Sequence, residues 1–186
     1  MDKKTLILSQ AAKLFAEKGY YGLGLSELLT RCDIPKGSFY YYFPEGKIQL
    51  IQEVLEFSYQ HMRSRILILQ EEEPTALRAF SRMIDRLVNG VENRRRLGSL
   101  MMSMIAIESV YLDERVNATC KRIYSDWQQL YADWLRDYGY AENDCQRLAQ
   151  AIFALVHGSL VSSWIKQDPA DLLLAKASLQ DLLGDQ

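Results

Sequence analysis

The sequence predicts an all-α protein of about nine helices, and three observations support this fold class. Strand signals are nearly absent, because no run of alternating β-branched residues is bounded by turn residues. Apolar residues instead recur at helical spacing throughout the chain. Glycine and proline interrupt this pattern where helices should end, most clearly at Gly139 and at Asp168-Pro169.

Short non-helical segments separate the first three predicted helices. The first runs from about Lys4 to Lys18, with Gly19 as a left-handed stop. The second and third run from about Leu25 to Cys32 and from about Lys36 to Tyr42. Between them the chain cannot be helical, because Pro35 restricts the residue before it, so the pair forms a helix-turn-helix. The apolar residues placed to form its core are Ile7, Leu8, Ala11, Ala12, Leu14, Phe15, Leu28, Leu29, Ile34, Phe39 and Phe43.

Six further helices are predicted in a longer second part of the chain. They lie near residues 47–69, 75–91, 98–110, 113–138, 142–166 and 169–183. Within residues 148–165 apolar side chains occupy almost every face, so this helix should be buried on both sides. The basic run Arg94-Arg95-Arg96 is interpreted as a solvated helix end. We therefore divide the chain into domains of residues 1–48 and 49–186.

The composition is that of a folded protein whose charge is unevenly distributed. Apolar residues make up 48% and charged residues 25% of the chain, which argues against disorder. The net charge is −2, but residues 1–50 carry 7 basic and 5 acidic side chains, whereas residues 51–186 carry 15 and 19. Only the first part therefore suits a polyanionic partner.

Cysteine and histidine are sparse. Cys32, Cys120 and Cys145 are too few and too widely separated for a disulfide framework or a CxxC metal pair. His61 and His157 are the two histidines, so we expect no metal site and no cofactor. No run of about 18 apolar residues and no signal-peptide segment is visible. We expect a cytoplasmic protein without a membrane segment.

Residues 36–47 combine the features that a DNA-reading helix needs. Lys36 can reach a phosphate or a guanine, Gly37 permits close approach, and Ser38 can hydrogen-bond a base edge. Phe39 and Phe43 share one face of the helix and should point inward. The tyrosines between them, Tyr40, Tyr41 and Tyr42, would then face the duplex, and Lys47 at the start of the next helix would clamp a further phosphate.

These residues carry a family resemblance. Residues 7–50 resemble the DNA-binding domain of the TetR family of transcriptional regulators, through "ILSQAAKLFAEKGY", "GLGLSELL" and "IPKGSFYYYFPEGK". The family pattern is a small Gly-Ser/Thr pair, a hydrophobic residue, a nearly fixed Tyr (here Tyr40), an aromatic or His (Tyr42), Phe (Phe43) and Lys (Lys47). Two departures occur. Leu23-Gly24 replaces the Thr or Ser that opens the second helix, where Gly24 and Ser26 would have to substitute, and "PEGK" has one more residue than most members, resembling a subgroup near multidrug and reactive-compound repressors.

The resemblance implies that the second domain binds an effector and forms a homodimer. In relatives the last two helices of two chains form a four-helix bundle, and "KQDPADLLLAKASLQDLL" resembles that ending. The expected dimer contacts are Leu155, Leu160, Val161, Leu173, Leu179 and Leu183. Such a dimer would set two recognition helices about 34–36 Å apart on a palindromic double-stranded DNA operator.

The effector site is predicted from methionines and aromatic residues, which supply adaptable apolar walls. Its expected lining is Met101, Met104, Ile105, Trp127, Tyr131, Phe153, His157 and Trp164. The alternative interpretation is that each of these residues is ordinary core, and that His157 is an interior histidine with its hydrogen bonds satisfied.

The function predicted from these features is a ligand-responsive transcriptional repressor, released from DNA by a small apolar or reactive effector. One alternative is a cysteine-based sensor of the same fold using Cys120 or Cys145, although Gly98-Ser99 stands where some relatives have a Gly-Cys pair. A helical protein-interaction module without DNA binding is another. An enzyme is disfavoured, because no nucleophile–base pair, phosphate-binding glycine loop or metal-ligand cluster is visible.

Overall fold

The computed structural model describes residues 2–93 and 98–184, and within them the chain forms nine α-helices and no strand. The helices are α1 (Lys3–Gly22), α2 (Leu25–Cys32), α3 (Lys36–Tyr42), α4 (Lys47–Glu72), α5 (Ala76–Glu92), α6 (Gly98–Ser109), α7 (Glu114–Asp137), α8 (Glu142–Lys166) and α9 (Ala170–Leu183). The predicted all-α fold class is confirmed. The predicted solvated helix end at Arg94, Arg95 and Arg96 lies outside the described residues.

The helix bounds agree best with the prediction where proline fixes them. Both α2 and α3 begin and end at the predicted residues, because Pro35 and Pro44 prevent their extension toward each other and beyond. By contrast, α1 continues past its predicted stop. Gly19 has a φ of 66° and a ψ of −176°, which makes a kink, and helical turns then resume as far as Gly22.

The chain divides into two compact units, which do not coincide with the two predicted domains. The first unit comprises Met1–Met62 and Arg96–Ile123, and the second comprises Arg63–Arg95 and Tyr124–Gln186. The helices α4 and α7 contribute residues to both. The first unit includes α6 because α6 packs against α1. A functional boundary at residue 48 stays a prediction.

The first unit is built around the helix-turn-helix. Both α2 and α6 pack against α1, and the core side chains are fully buried. Burial of each such side chain contributes roughly 1.5–3 kcal/mol to stability. The largest of them in this unit include Ile7, Leu14, Phe15, Leu28, Phe39 and Phe43, together with Leu50, Ile51 and Leu55 of α4. The apolar stripe predicted for α1 therefore lies in the buried core of this unit, and α2 packs against α1.

The second unit packs α5, α8 and α9 against one another. Its core contains the Phe80 ring, with centroids 5.1 Å from those of Tyr131 and Trp134. Among the described residues, α8 is the one helix whose length and hydropathy would allow it to cross a membrane. Core helices of soluble proteins meet the same criterion, and Leu148 and Ile152 of α8 are buried within the unit.

Candidate nucleic-acid interface and effector region

The turn between α2 and α3 is closed by backbone hydrogen bonds. Asp33 adopts the left-handed conformation, with φ 49° and ψ 54°, and its N–H donates to the end of α2. The N–H of Ile34 donates to the Leu29 carbonyl at 3.1 Å. Pro35 then opens α3, and its carbonyl accepts from the N–H of Ser38 at 3.0 Å. These bonds fix the direction in which α3 leaves α2.

Helix α3 is anchored on one side and exposed on the other. Phe39 and Phe43 are fully buried, and their ring centroids lie 5.2 Å apart. Tyr41 is 81% exposed and Tyr40 is 43% exposed, whereas Tyr42 is half-buried. The rings of Tyr41 and Tyr42 meet edge to face at 5.1 Å. The helix thus presents rigid rings with polar tips to solvent.

The residues that open α3 are accessible. Lys36 and Gly37 are exposed and Ser38 is half-buried, while Ser26 is exposed on α2. A Cβ atom built at Gly37 would meet no atom within 4 Å, so the fold itself does not require glycine there. The absent side chain instead leaves open space at the start of the helix. Lys36 Nζ lies 5.9 Å from the ring centroid of Tyr40, within the range of a cation–π interaction.

Several basic side chains of the first unit are neutralised by carboxylates, which limits the positive charge available to DNA. The ion pairs are Lys4 with Glu53, Lys18 with Glu27 and Arg31 with Glu17, at 2.6, 2.7 and 3.2 Å. Lys36 forms no ion pair within residues 2–93 and 98–184. Among the predicted DNA contacts, Lys36 is therefore the cation best placed to meet a phosphate.

Lys47 is turned toward the protein. Its Nζ donates to the Leu23 carbonyl at 2.8 Å and lies 4.2 Å from the ring centroid of Tyr20. Burial lowers the pKa of Lys47, and the negative charge of Glu108 acts in the opposite direction. The structure thus places the ammonium group in an internal hydrogen bond, and not at the open position that the predicted phosphate clamp needs.

Helix α2 opens without a side-chain cap. Gly24 is its N-cap residue and has an extended backbone, with φ −85° and ψ 132°. Ser26, the predicted substitute, makes no capping hydrogen bond there. The first N–H groups of α2 therefore lie at an exposed helix end, where the helix dipole favours an anion.

Part of the predicted effector site comes together in the second unit. The His157 ring stacks on Phe153 with centroids 3.9 Å apart, and the Trp127 ring lies 6.1 Å from His157. Tyr131 lies 6.3 Å from Phe153. Sequence reasoning missed Tyr124, whose ring lies 5.3 Å from Phe153 and 5.9 Å from His157. We call these five residues the aromatic cluster.

His157 gives the aromatic cluster a polar group. Its Nδ1 lies 3.0 Å from the Phe153 carbonyl oxygen. Burial lowers the pKa of His157, which favours the neutral imidazole. In that form Nδ1–H donates to the carbonyl and Nε2 is left as an acceptor. Tyr131, in contrast, is fully buried, and its hydroxyl donates to the Met83 sulfur at 3.2 Å.

The other predicted effector contacts are not part of this cluster. Met101 and Ile105 are buried in the first unit, where Met104 is 39% exposed. Trp164 lies on α8 in the second unit and is half-buried. The aromatic cluster is therefore the part of the predicted site that the structure assembles within one unit.

The predicted dimer contacts divide into buried and accessible residues. Leu160, Leu179 and Leu183 are buried within the second unit of the single chain, and their part in a dimer stays a prediction. Leu155 and Val161 are half-buried and Leu173 is exposed. Sequence reasoning missed the exposed apolar residues Ile165 and Leu174. Leu174 lines a groove of about 300 Å³ between α8 and α9, together with Leu155, Gly158, Ser159, Ser162, Lys166, Asp171, Ala175 and Ser178.

The three cysteines are poorly placed for thiol chemistry. Cys32, Cys120 and Cys145 are all buried, and burial raises the pKa of each thiol. A reactive cysteine needs an accessible and electropositive setting that stabilises the thiolate. The environment of these three side chains favours the neutral thiol.

Sequence reasoning also missed a contact between distant parts of the first unit. The backbone N–H of Tyr20 donates to Glu108 Oε2 at 2.9 Å, across 88 residues of sequence. Glu108 is the single charged residue of the helix GSLMMSMIAIES, and that isolation was the available signal.

Comparison with known proteins matches both parts of the chain. Residues 7–54 match the family described as bacterial regulatory proteins, tetR family, and residues 76–178 match the C-terminal domain described as transcriptional regulator LmrA/YxaF-like. The HTH-type transcriptional regulator LmrA of Bacillus subtilis is 28% identical over 185 residues, which cover 98% of this chain and 97% of LmrA. YxaF of the same organism is 25% identical over 173 residues, covering 93% and 91%. The crystal structure of reduced E. coli NemR aligns with a TM-score of 0.86 at 23% identity, covering 97% and 96%.

Proposed function

The chain belongs to the TetR family of transcriptional regulators, and from this premise we propose that it is a dimeric, ligand-responsive repressor. It binds a palindromic operator through α2 and α3 and is released by a small apolar effector. NemR of E. coli, which is 45% identical over 42 residues, is named a transcriptional repressor. That local similarity supports the repressor role.

The observation that carries the DNA-binding proposal is the two-sided character of α3. The helix exposes Tyr41 and Tyr40 while Phe39 and Phe43 are fully buried. Two exposed aromatic rings next to one another on one helix form a surface suited to contact with a partner. Lys36, Gly37 and Ser38 lie at the N-terminal end, which enters the major groove in helix-turn-helix proteins. We assign base and phosphate contacts to these residues, to Ser26 and to Tyr40, Tyr41 and Tyr42.

Replacement of Tyr41 by Ala tests this assignment. The matched control is Tyr111→Ala, because Tyr111 is 87% exposed but lies in the turn after α6. We expect Tyr41→Ala to weaken operator binding by roughly tenfold or more, the loss typical of one good contact at a DNA interface, and Tyr111→Ala to leave it unchanged. Equal binding by both variants would exclude α3 as the reading helix.

For the dimer we propose the exposed face of α8 and α9 that contains Ile165, Leu173 and Leu174. The α8–α9 turn is rigid enough to present this face. The Leu172 N–H donates to the buried Ser163 hydroxyl at 3.1 Å, and Lys166 Nζ lies 2.7 Å from Asp171. A two-fold copy of the same face would cover the apolar residues in a self-complementary interface.

For the effector we propose contact with the aromatic cluster. Flat rings favour an apolar, planar portion of the ligand, and His157 Nε2 offers one acceptor to orient it. Titration of the purified protein–operator complex with a panel of apolar compounds, with displacement as the readout, tests this assignment. His157→Phe would remove the acceptor while keeping the stacked ring.

The turn after α3 is consistent with the proposal that this chain belongs to the TetR subgroup whose linker reads Pro-Glu-Gly-Lys. Gly46 has a φ of 72°, which favours glycine, and its N–H donates to the Phe43 carbonyl at 2.9 Å. This turn accommodates the additional residue before α4 begins at Lys47. The cysteine-based alternative gains no support from the described residues, because burial raises the pKa of all three thiols.

A further inference from the structure

We propose that Glu108 is a positioning residue for DNA binding: its carboxylate, supplied by α6, holds the segment from Gly19 to Leu23, which leads from the kink of α1 to the start of α2, and so fixes the placement of the helix-turn-helix. The inference rests on the proposed DNA-binding function. Glu108 touches none of the surface assigned to DNA and would act through the backbone of Tyr20.

The carboxylate meets α1 at its kink. At Gly19 the backbone has a positive φ, and the N–H of the next residue, Tyr20, donates to Glu108 Oε2 at 2.9 Å. A Cβ atom built on Gly19 would lie 2.7 Å from Glu108 Oε1, closer than such contacts occur. The positive φ favours glycine at residue 19, and a side chain there would have to displace the Glu108 carboxylate.

The ammonium group of Lys47 holds the other end of the same segment, at Leu23. Lys47 Nζ donates to the Leu23 carbonyl at 2.8 Å, one residue before the N-cap of α2 at Gly24. The ammonium group also lies over the Tyr20 ring. The segment from Gly19 to Leu23 is thus held by the Glu108 carboxylate of α6 and by the Lys47 ammonium group of α4.

The end of α6 is itself held in place. Ser109, the residue after Glu108, is buried, and its hydroxyl donates to the Ala106 carbonyl at 2.7 Å. The same hydroxyl accepts from Asn117 Nδ2 of α7 at 3.1 Å. Because α6 also packs against α1, the carboxylate is presented from a fixed position. A displacement of the C-terminal end of α6 would therefore move the segment from Gly19 to Leu23.

The test uses the full-length protein and the operator fragment that the wild-type protein protects. Glu108→Ala removes the acceptor, and Glu108→Gln keeps a side-chain oxygen that can accept from the same N–H. The control is Glu114→Ala, which removes the same charge from an exposed residue at the start of α7. Affinity is measured at several salt concentrations, well below the unfolding temperature of each variant.

We expect Glu108→Ala to weaken operator binding by about tenfold or more, as for the loss of one charge-assisted hydrogen bond, with the salt slope unchanged because no phosphate contact is lost. Glu108→Gln should restore most of the affinity, and Glu114→Ala should bind at least as tightly as wild type. Faster amide hydrogen exchange at Tyr20 in Glu108→Ala, but not in Glu108→Gln, would support the same contact.

Two results would overturn the inference separately from the proposed function. If the wild-type protein binds the operator and Glu108→Ala binds equally well, Glu108 has no positioning role. If the wild-type protein binds no DNA specifically, the proposed function fails and the inference fails with it. Should Glu108→Ala not fold, Glu108→Asp replaces it, since the shorter side chain keeps the charge but loses the reach; wild-type affinity in that variant would contradict the assigned geometry.

Discussion

The imidazole of His157 lies against the ring of Phe153, with centroids 3.9 Å apart, and its Nδ1 is 3.0 Å from the Phe153 carbonyl oxygen. Both contacts join residues one helical turn apart on α8. The carbonyl selects the neutral tautomer with the proton on Nδ1. The histidine is therefore held in one orientation within the aromatic cluster. Protonation of its ring should lower the stability of the folded protein.

We predict that stability falls as the pH falls below the ordinary histidine pKa of 6.5. Burial lowers the pKa of His157 in the folded state, so the unfolded chain takes up the proton first as the solution is acidified. The free energy of unfolding is then largest above that pH and declines below it. Denaturant titrations between about pH 5 and about pH 8, a range that brackets the ordinary histidine pKa of about 6.5, measure the effect.

Replacement of His157 by Gln should flatten this pH dependence. His61, the other histidine of the chain, is exposed, and His61→Gln serves as the matched control. A wild-type decline that persists unchanged in His157→Gln would show that another group is responsible.

Gly24→Ser should stabilise the protein by about 0.5–1 kcal/mol. The extended backbone of Gly24 suits any residue, and a Cβ atom there meets nothing within 4 Å. A serine hydroxyl would cap α2, and the unfolded chain would lose conformational freedom. Gly139→Ser is the opposing control, because Gly139 has a φ of 87° and should resist substitution. Thermal unfolding of both variants checks the prediction, and destabilisation by Gly24→Ser would contradict it.

Lys36 and Lys47 should respond differently to substitution by methionine. A plot of the logarithm of the operator-binding constant against the logarithm of the salt concentration has a slope that counts phosphate contacts. Lys36→Met should reduce the magnitude of this slope by about 0.9, the value for one phosphate contact. Lys47→Met should weaken binding with the slope unchanged, because its ammonium is bonded to the Leu23 carbonyl. Binding isotherms at several salt concentrations separate the two roles. A reduced slope for Lys47→Met would show instead that Lys47 contacts a phosphate, as the sequence predicted.

Leu174→Glu should convert the proposed dimer to a monomer. Leu174 is 67% exposed on α9, so a charge there costs the monomer little but would be buried unpaired in the proposed interface. Ile107→Glu is the matched control, because Ile107 is 69% exposed on α6. Sedimentation equilibrium of both variants measures the oligomeric state. A dimer that survives Leu174→Glu would place the interface elsewhere.

The sequence was most informative where local rules decide the structure. The bounds of α3 follow from Pro35, Pro44 and the spacing of two phenylalanines, and all of these signals lie within ten residues of one another. The exposure of Tyr41 then follows from helical geometry. The extension of α1 beyond Gly19 did not, because a glycine that ends one helix and a glycine that kinks a longer one have the same local pattern.

Long-range contacts and the choice of buried face were beyond local rules. Lys47 meets the carbonyl of a residue 24 positions away, and nothing in its own helix indicates that partner. In α8 and α9, leucines occupy several faces, so the pattern alone could not distinguish Leu179, which is buried in its own unit, from Leu174, which is exposed.

The most direct test of the central claim is a footprint of the wild-type protein on the DNA upstream of its own gene, repeated at several salt concentrations. We predict a protected palindrome whose half-sites lie about one helical turn apart, with protection that weakens steeply as salt rises. Absence of protection, or protection that is indifferent to sequence, would contradict the assignment of this chain as an operator-binding repressor.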